Sequence, residues 1–310
     1  MPSHLLQLSD YGTDFVFEVL DVAGRLRDGL DFHRHQLEGQ SMAMVFERPS
    51  LRTRVSFEVA MTQLGGHAVN LQPVEIGLDT REPAGDVGAV LSGMVDVIMA
   101  RVKRHQTIDN LAATATVPVI NGLSDLAHPC QTLTDLLTIR DCFSGNATGK
   151  RVCYLGDANN VLRSLVVGCG LKGLPIVACS PEGFGLTDEE VTRLCTQVPA
   201  LDLTLEPDPA KAVEGADVLY TDVWASMGQE EEHAKRVAAF AGYSITQDLL
   251  AKAKPEAVVM HCLPAHRGEE IAADVMDSPR CVAFGQAHNR LHAQKGILAV
   301  LMGSWSSTST

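Results

Sequence analysis

Basic residues are scarce in this 310-residue chain, which has 25 Lys and Arg against 38 Asp and Glu and a formal net charge of −13. Because binding to a nucleic-acid backbone requires a basic face, this balance of charge excludes nucleic acid as a partner. Long apolar runs are also absent: none approaches the roughly 20 residues that span a bilayer, so no membrane association is expected. The first thirty residues carry acidic side chains at five positions, unlike a secretory signal or a transit peptide, which predicts a cytoplasmic protein.

Closely spaced cysteine pairs are missing too. The eight cysteines show no C-x-x-C spacing, and several lie in apolar runs, as Cys153 and Cys179 do. Buried free thiols of a reducing compartment fit this pattern better than disulfides. His261, Cys262 and His266 are close in sequence, but no set of four ligands at zinc spacing accompanies them. We therefore expect no structural zinc site, no other metal and no cofactor.

Short apolar runs alternate with helical patterns in a chain that is 45% hydrophobic and 20% charged. Near-continuous apolar strands separated by helices are typical of buried parallel sheets. With a hinge predicted at 144–149, the pattern favours two α/β domains, each a parallel sheet flanked by helices, with the active site in the interdomain cleft. Strands are predicted at 42–46, 67–71, 95–100 and 117–121, and then at 152–156, 176–180, 201–205, 217–222, 257–261 and 281–284.

The segment 50–54, SLRTR, has the parts of a phosphate site: two hydroxyls and two guanidiniums directly after a predicted strand. A helix that begins here offers free N–H groups and the positive end of its dipole to an anion. Arg101, at the end of another predicted strand, is costly to bury unless an anion accompanies it. The alternatives are that Ser50 is only an N-cap beside surface arginines, and that Arg101 forms an ion pair between domains.

Three further groups could bind the carbonyl part of a phosphorylated substrate. His128 and Gln131 share one helix face and could bind a carbonyl oxygen and an amide, or could be a capping histidine and a surface glutamine. The segment 261–264, HCLP, follows a predicted strand, and Cys262 is open to the roles of nucleophile, metal ligand or contact group. Arg290, at the predicted start of the final helix, could supply a second cation.

Five motifs together resemble the aspartate/ornithine carbamoyltransferase family. S-x-R-T-R-x-S-F-E stands at 50–58 and H-P-x-Q-x-L-x-D at 128–135, and both are shared across the family. The segments 156–161, 222–228 and 261–264 resemble the ornithine-specific branch. The motifs occur in the expected order over almost the whole chain.

The resemblance implies a carbamoyl-phosphate-binding domain at 1–141, an ornithine-binding domain at 142–287 and a C-terminal helix at 288–310 that packs back on the first domain. It implies that carbamoyl phosphate is bound by Ser50, Leu51, Arg52, Thr53, Arg101, His128, Gln131, Cys262, Leu263 and Arg290. It implies that ornithine is bound by Asn160, Asp222, Ser226 and Met227. The implied catalytic residues are Arg52, His128, Cys262 and Arg290.

The reaction implied by the resemblance is transfer of the carbamoyl group of carbamoyl phosphate to the δ-amine of L-ornithine. The products are L-citrulline and phosphate, as in arginine biosynthesis. No cofactor and no covalent intermediate are implied, and the chain is expected to form a homotrimer or a multiple of trimers. Two alternatives stay open: a sibling transcarbamoylase that acts on aspartate, putrescine or an acylated ornithine, and a non-catalytic binding or regulatory homologue.

The glycines at 168–173 match G-x-G-x-x-G, a pattern that would indicate a nicotinamide nucleotide and hence an oxidoreductase. That fingerprint must follow a strand and open a helix. Here the segment is predicted to end a helix and to precede a strand. We interpret these glycines as positions of close packing and as a helix stop.

Two places depart from the family pattern. Gly77 stands where members commonly carry a glutamine that reaches the site of a neighbouring subunit, and 86–89 reads DVGA where D-T-A-R is frequent. These changes imply that contacts with carbamoyl phosphate across the subunit boundary are altered.

Overall fold

The computed structural model describes residues 4–29, 35–225 and 232–303, and these divide into two compact units. The first unit comprises the described residues up to Leu137 together with those from His288 onward, and the second comprises those from Thr138 to Ala287. Among the described helices, none is long and apolar enough to cross a membrane. All eight cysteines are free thiols, and four of them are buried. Cys153 and Cys179 are among these four, as their apolar surroundings in the sequence predicted.

The first unit is built on a four-stranded parallel sheet. Its strands are β1 (Ser41–Phe46), β2 (His67–Leu71), β3 (Val97–Arg101) and β4 (Val119–Leu123), in the spatial order β2-β1-β3-β4. Its helices are a short 3-10 turn at Leu8–Asp10, α1 (Thr13–Arg27), α2 (Leu51–Gln63), α3 (Pro73–Ile76), α4 (Ala84–Ser92) and α5 (His105–Thr114). Helices α6 (Pro129–Cys142) and α13 (Ala283–Met302) each contain a point of division between the units.

The register of the first sheet aligns the strand ends that matter. Phe46 of β1 lies opposite Arg101 of β3, and Arg101 pairs in turn with Leu123 of β4. All three strands are parallel, so the segments that follow them leave from the same edge of the sheet. The chain therefore delivers the start of α2, the Arg101 side chain and the start of α6 to one edge.

The second unit is built on a five-stranded parallel sheet. Its strands are β5 (Val152–Leu155), β6 (Ile176–Cys179), β7 (Leu203–Leu205), β8 (Val218–Thr221) and β9 (Val258–His261), in the order β7-β6-β5-β8-β9. Its helices are α7 (Asn160–Lys172), α8 (Asp188–Gln197), α9 (Pro209–Ala212), α10 (His233–Ala239), α11 (Gln247–Leu250) and α12 (Ala273–Met276). Leu155, Thr221 and His261 lie side by side at the carboxyl edge.

The predicted strand at 281–284 is wrong. Cys281 makes only an isolated bridge with Val259, and helix α13 already begins at Ala283. A four-residue apolar run has too few residues for its period to separate strand from helix. The same error misplaced Arg290, which lies in the middle of α13 and not at the start of the final helix.

The glycine-rich stretch ends a helix, as the sequence predicted. Gly168 and Gly170 lie inside α7, and Gly173 caps it in the left-handed conformation at φ +64°. A side chain at position 170 would press within 2.8 Å of Val198, so the glycine permits close packing. β6 follows this stretch, which is the reverse of the order that a dinucleotide fingerprint requires.

A buried carboxylate fixes the start of β8. Asp217 is 3% exposed, and it accepts hydrogen bonds from Lys150 Nζ at 3.1 Å, Lys254 Nζ at 2.8 Å and the Arg151 N–H at 2.9 Å. Burial acts to raise the pKa of Asp217, but these hydrogen bonds outweigh it and hold the pKa below its ordinary value. The folded state therefore favours the charged form, and this contribution to stability is complete above the unfolded pKa and is lost as pH falls through the lowered folded pKa.

We expect Asp217→Asn to lower the free energy of unfolding at neutral pH by about 1.5–3 kcal/mol, because hydrogen bonds to a charged group are lost. The difference from the unmodified chain should shrink as the pH falls below about 4. Denaturant unfolding at neutral and acid pH measures both effects. Asp208→Asn is the matched control, since its ion pair with Lys211 is exposed and 3.9 Å long and asparagine caps a helix equally well. Equal losses in the two variants would contradict the assignment.

Candidate active site

The start of α2, residues 50–54, forms a compact polar cluster, which we call the cradle. Ser50 is the N-cap in extended conformation, and its Oγ accepts a hydrogen bond from the Thr53 N–H at 3.3 Å and lies 3.1 Å from Thr53 Oγ1. Capping of this kind is what the alternative interpretation of Ser50 proposed, and it fixes the hydroxyl beside the helix N-terminus. Arg52 is half-buried, whereas Arg54 is exposed and pairs with Glu58 at 3.4 Å. The two arginines of the motif therefore differ in environment.

A buried hydrogen-bonded chain joins α13 to the cradle and to α6. Arg290 donates from Nη1 to Gln131 Oε1 at 2.7 Å and from Nη2 to Thr53 Oγ1 at 3.4 Å. Gln131 in turn donates from Nε2 to Asp135 Oδ1 at 2.8 Å. The interpretation of Gln131 as a surface residue is therefore wrong, because it is buried and held at both ends of its amide.

His128 lies buried among cations. Burial lowers the pKa of His128 well below its ordinary value, and the guanidiniums of Arg290, Arg101 and Arg52 lower it further, in that order. At neutral pH the imidazole is therefore uncharged, so that it can donate an N–H to a carbonyl oxygen without bringing a further positive charge. Of the predicted carbamoyl-phosphate residues, the fold gathers those of the first unit at one edge of its sheet.

The loop that leads to His128 is held by a residue that the sequence reasoning missed. Asn121, at 0% exposure, donates from Nδ2 to the carbonyl oxygens of Leu6 and Ala127 and to Ser124 Oγ. Ser124 also closes the loop through a backbone bond to Ala127 at 3.0 Å. The available signal was a polar residue at the end of the otherwise apolar run 117–121, which the sequence predicted as a strand.

In the second unit, Asp222 is a buried carboxylate held in a fixed orientation. Its Oδ1 accepts from Cys262 Sγ at 3.0 Å and from the Val223 N–H at 2.8 Å, and its Oδ2 accepts from Asn159 Nδ2 at 2.9 Å. Asn159 also caps α7 through its Oδ1. The sequence reasoning named Asn160 but missed Asn159, whose side chain links the start of α7 to this carboxylate.

His261 shapes the loop that carries Cys262. The imidazole is fully buried, with Nε2 3.0 Å from Glu270 Oε1, while Nδ1 accepts from the Leu263 N–H at 2.8 Å. Hydrogen bonding thus assigns the ring proton to Nε2. Leu263 is held at φ +58°, in the left-handed region that side chains rarely occupy. Glu270, like Asn121 and Asn159, is a residue that the sequence reasoning missed.

These contacts favour the role of contact group for Cys262. Its thiol donates to a carboxylate, and both ring nitrogens of the adjacent His261 are engaged elsewhere, so that imidazole is not placed to take the thiol proton. Asp222, His261 and Cys262 do offer ligand atoms within 4.8 Å of one another. A metal there would have to break the His261 hydrogen bonds, so we assign these groups to hydrogen bonding. Ser226 and Met227, both predicted to bind ornithine, lie outside the described residues.

The local backbone conformation explains why a glycine stands at position 77. It adopts φ +61°, and it accepts backbone hydrogen bonds from Thr80 at 3.0 Å and from Arg81 at 2.8 Å in a tight turn. A Cβ at this position would lie 2.8 Å from the Cβ of Arg81. A larger residue would therefore strain this turn in addition to needing its left-handed conformation.

Comparison with known proteins gives a consistent result. Two family models match: residues 3–141 match the carbamoyl-P binding domain and residues 148–301 the Asp/Orn binding domain of aspartate/ornithine carbamoyltransferase. The chain is 48% identical over 304 residues to a Pyrococcus furiosus protein named ornithine carbamoyltransferase, anabolic, with 96% of each chain covered. It is 48% identical over 300 residues to ornithine carbamoyltransferase of Haloquadratum walsbyi, covering 97% of this chain and 98% of that one. The solved structure of the Pyrococcus furiosus ornithine carbamoyltransferase superposes with a TM-score of 0.92 at 46% identity, with 98% of each chain covered.

The charge state of His128 is directly testable. We expect its imidazole to stay neutral in ¹⁵N NMR spectra between about pH 8 and pH 6, because burial and three guanidiniums oppose protonation. Arg290→Gln should raise the pKa of His128, since it removes the cation with the largest effect. A midpoint at or above the ordinary histidine value, or no response to Arg290→Gln, would contradict this electrostatic assignment.

Proposed function

The chain belongs to the aspartate/ornithine carbamoyltransferase family, and on this premise we propose that it transfers the carbamoyl group of carbamoyl phosphate to the δ-amine of L-ornithine, giving L-citrulline and phosphate. The observation that carries the choice of amine is the buried Asp222, held between Cys262 and Asn159. A fixed carboxylate attracts a cationic amine and repels an acidic amino acid such as aspartate.

The phosphate group is proposed to bind at the start of α2. Ser50 and Thr53 supply hydroxyls beside a helix N-terminus, and the backbone at Leu51 belongs to the same turn. Arg52 and Arg101 supply the opposing charge, and both lie close enough to His128 to lower its pKa. This set supports phosphate binding because guanidinium forks and N-terminal N–H groups are the usual partners of phosphate oxygens.

The carbamoyl group is proposed to lie against Arg52, His128, Gln131 and Arg290. When the amine nitrogen attacks the carbamoyl carbon, negative charge develops on the carbamoyl oxygen. Two guanidiniums and a neutral imidazole N–H would stabilise that charge in a buried setting, where such donors act most strongly. Gln131 is proposed to accept from the carbamoyl NH2, with Arg290 fixing its amide orientation. The C–N bond forms, the bond from carbon to the phosphate oxygen breaks, and the departing phosphate takes the second proton from the attacking nitrogen and leaves as an anion.

Ornithine is proposed to bind in the second unit. Asp222, with Cys262 donating to it, would take the δ-ammonium and accept the proton that must leave before the neutral amine can attack. The backbone of Leu263 would contact the amine and the carbamoyl NH2. Asn160, Ser226 and Met227 are proposed to serve the α-amino and α-carboxylate groups. No covalent intermediate is needed, because positioning both substrates supplies much of the acceleration.

The setting is proposed to be arginine biosynthesis in the cytoplasm, with the chain as a homotrimer or a multiple of trimers. The biosynthetic direction rests on the relative named anabolic and on the overall resemblance. With glycine at position 77, a neighbouring subunit would offer only backbone from that position. Residues 1–141 are proposed to form the carbamoyl-phosphate-binding domain and residues 142–287 the ornithine-binding domain. Residues 288–310 are proposed to pack back on the first domain.

The activity is tested with purified full chain, carbamoyl phosphate and four amines: ornithine, aspartate, putrescine and N-acetylornithine. Product should form with ornithine alone, measured as citrulline, because only ornithine combines a δ-amine with free α-amino and α-carboxylate groups. Product from another amine in preference would overturn the ornithine assignment while leaving the phosphate site in place. No product with any amine would favour the non-catalytic homologue.

Substitution of the two arginines of the cradle should affect turnover to very different degrees. We expect Arg52→Gly to lower kcat by at least about 10²-fold, because a donor to the developing oxyanion is lost. Arg54→Gly carries the same helix penalty of about 1 kcal/mol but removes only an exposed pair with Glu58. Steady-state kinetics of both variants, with circular dichroism to confirm folding, measures the difference. Similar losses in the two, or near-normal turnover in Arg52→Gly, would remove Arg52 from the mechanism.

A further inference from the structure

Two imidazoles and one carboxylate meet in the second unit, outside the residues proposed to bind substrates. Nε2 of His233, at the start of α10, lies 3.2 Å and 3.0 Å from the two carboxylate oxygens of Glu269. Nδ1 of His266 lies 3.6 Å from Glu269 Oε2. One ligand atom from each residue lies within 4.8 Å of those of the other two. We propose that His233, His266 and Glu269 bind a divalent transition-metal ion such as Zn²⁺.

The spacing of the ligand atoms fits one ion. Nitrogen and oxygen ligands lie about 2.1 Å from zinc, so two ligands of a tetrahedral ion are about 3.4 Å apart. The distances of 3.0 Å from His233 Nε2 and 3.6 Å from His266 Nδ1 to the shared Glu269 Oε2 lie on either side of that value. Because all three ligand atoms lie within 4.8 Å of one another, side-chain rotations can bring them to the spacing that one ion requires.

The donor set selects the class of ion. Neutral imidazole is a good ligand for zinc, copper, nickel and cobalt, whereas Mg²⁺ and Ca²⁺ prefer oxygen ligands throughout. Three protein ligands leave at least one coordination position for water. The two histidine side chains are each 43% exposed and Glu269 is 29% exposed, so an ion can reach the site from solvent.

Both halves of the site are held by buried contacts. Glu270, fully buried, accepts the His266 N–H, and the Glu269 N–H donates to the His266 carbonyl at 3.0 Å, which closes the turn between the two ligands. On α10, the buried Arg236 donates to Asp157 Oδ2 and to the Trp224 carbonyl, each at 2.9 Å. Because these anchors already order the backbone, binding an ion has to restrict little more than three side chains.

The site differs from the cluster of Asp222, His261 and Cys262. There the imidazole has both nitrogens engaged in buried hydrogen bonds. The rings of His233 and His266 contact Glu269 alone among the polar groups of the described residues. Sequence spacing did not reveal the site, since His233 precedes the other two ligands by more than thirty residues. The turn at 266–269 also belongs to the loop that begins at Cys262, so an ion would fasten this loop to the start of α10.

The test is titration of purified full chain with Co²⁺, followed by visible absorption, and with Zn²⁺ as the competitor. We expect one ion per chain, a d–d spectrum without a thiolate charge-transfer band, and displacement of Co²⁺ by Zn²⁺. His233→Ala and Glu269→Gln should each weaken Co²⁺ binding at least about tenfold, a loss no smaller than outer-shell changes cause. His35→Ala is the matched control, because it removes an imidazole from an exposed pair with Glu38 at 3.1 Å.

Cys262→Ser discriminates between the two clusters. Co²⁺ binding that survives Cys262→Ser and is lost in His233→Ala supports the proposed site. A thiolate band, or binding lost in Cys262→Ser and kept in His233→Ala, would place the ion at Asp222 and overturn the proposal. Absence of any Co²⁺ spectrum would reduce the cluster to an ion pair and would equally overturn it. Circular dichroism of each variant confirms the fold, and none of these outcomes depends on carbamoyl transfer.

Discussion

Parallel strand pairing with aligned carboxyl ends is the constraint on which the rest of the structure depends. In the first sheet, the pairing of Phe46 with Arg101 and of Arg101 with Leu123 fixes where three loops emerge. In the second sheet, Leu155, Thr221 and His261 stand level. Every candidate substrate residue in the described chain follows one of these ends or is supplied by α13. A register shift of one residue would turn Arg101 to the opposite face of its sheet.

The candidate sites of the two units carry opposite charge, and each charge suits the opposite charge of a ligand. The first gathers Arg52, Arg101 and Arg290 around a neutral His128, which suits an anionic substrate. The second fixes the Asp222 carboxylate with donors from Asn159 and Cys262, which suits a cationic amine. In a chain of net charge −13 the cations of the first unit are a local exception. These cations repel one another, and a bound anion would offset that repulsion.

Both units contain polar side chains that orient the candidate site residues through hydrogen bonds. Asn121 holds the loop before His128, Asn159 orients Asp222, and Glu270 fixes His261 and the backbone of His266. Each is an ordinary polar residue in the sequence, and each is identified only by its contacts. The arrangement gives the candidate substrate-binding groups fixed positions before any substrate binds, which is a general requirement of preorganised sites.

The sequence by itself determined the fold class, most of the strands, the helix that begins at the SLRTR segment, the family and the residue types of both candidate substrate sites. These follow from local periodicity, capping and motif order, which neighbouring residues encode. It misplaced the strand at 281–284 and the start of α13, because four apolar residues have no diagnostic period. Only the tertiary structure decided that Arg290 reaches Gln131, that burial and nearby guanidiniums lower the pKa of His128, that Asn159 holds Asp222, and that His233 meets His266 and Glu269. Each of these depends on burial or on contacts between residues distant in the chain, and those are set by how the elements pack.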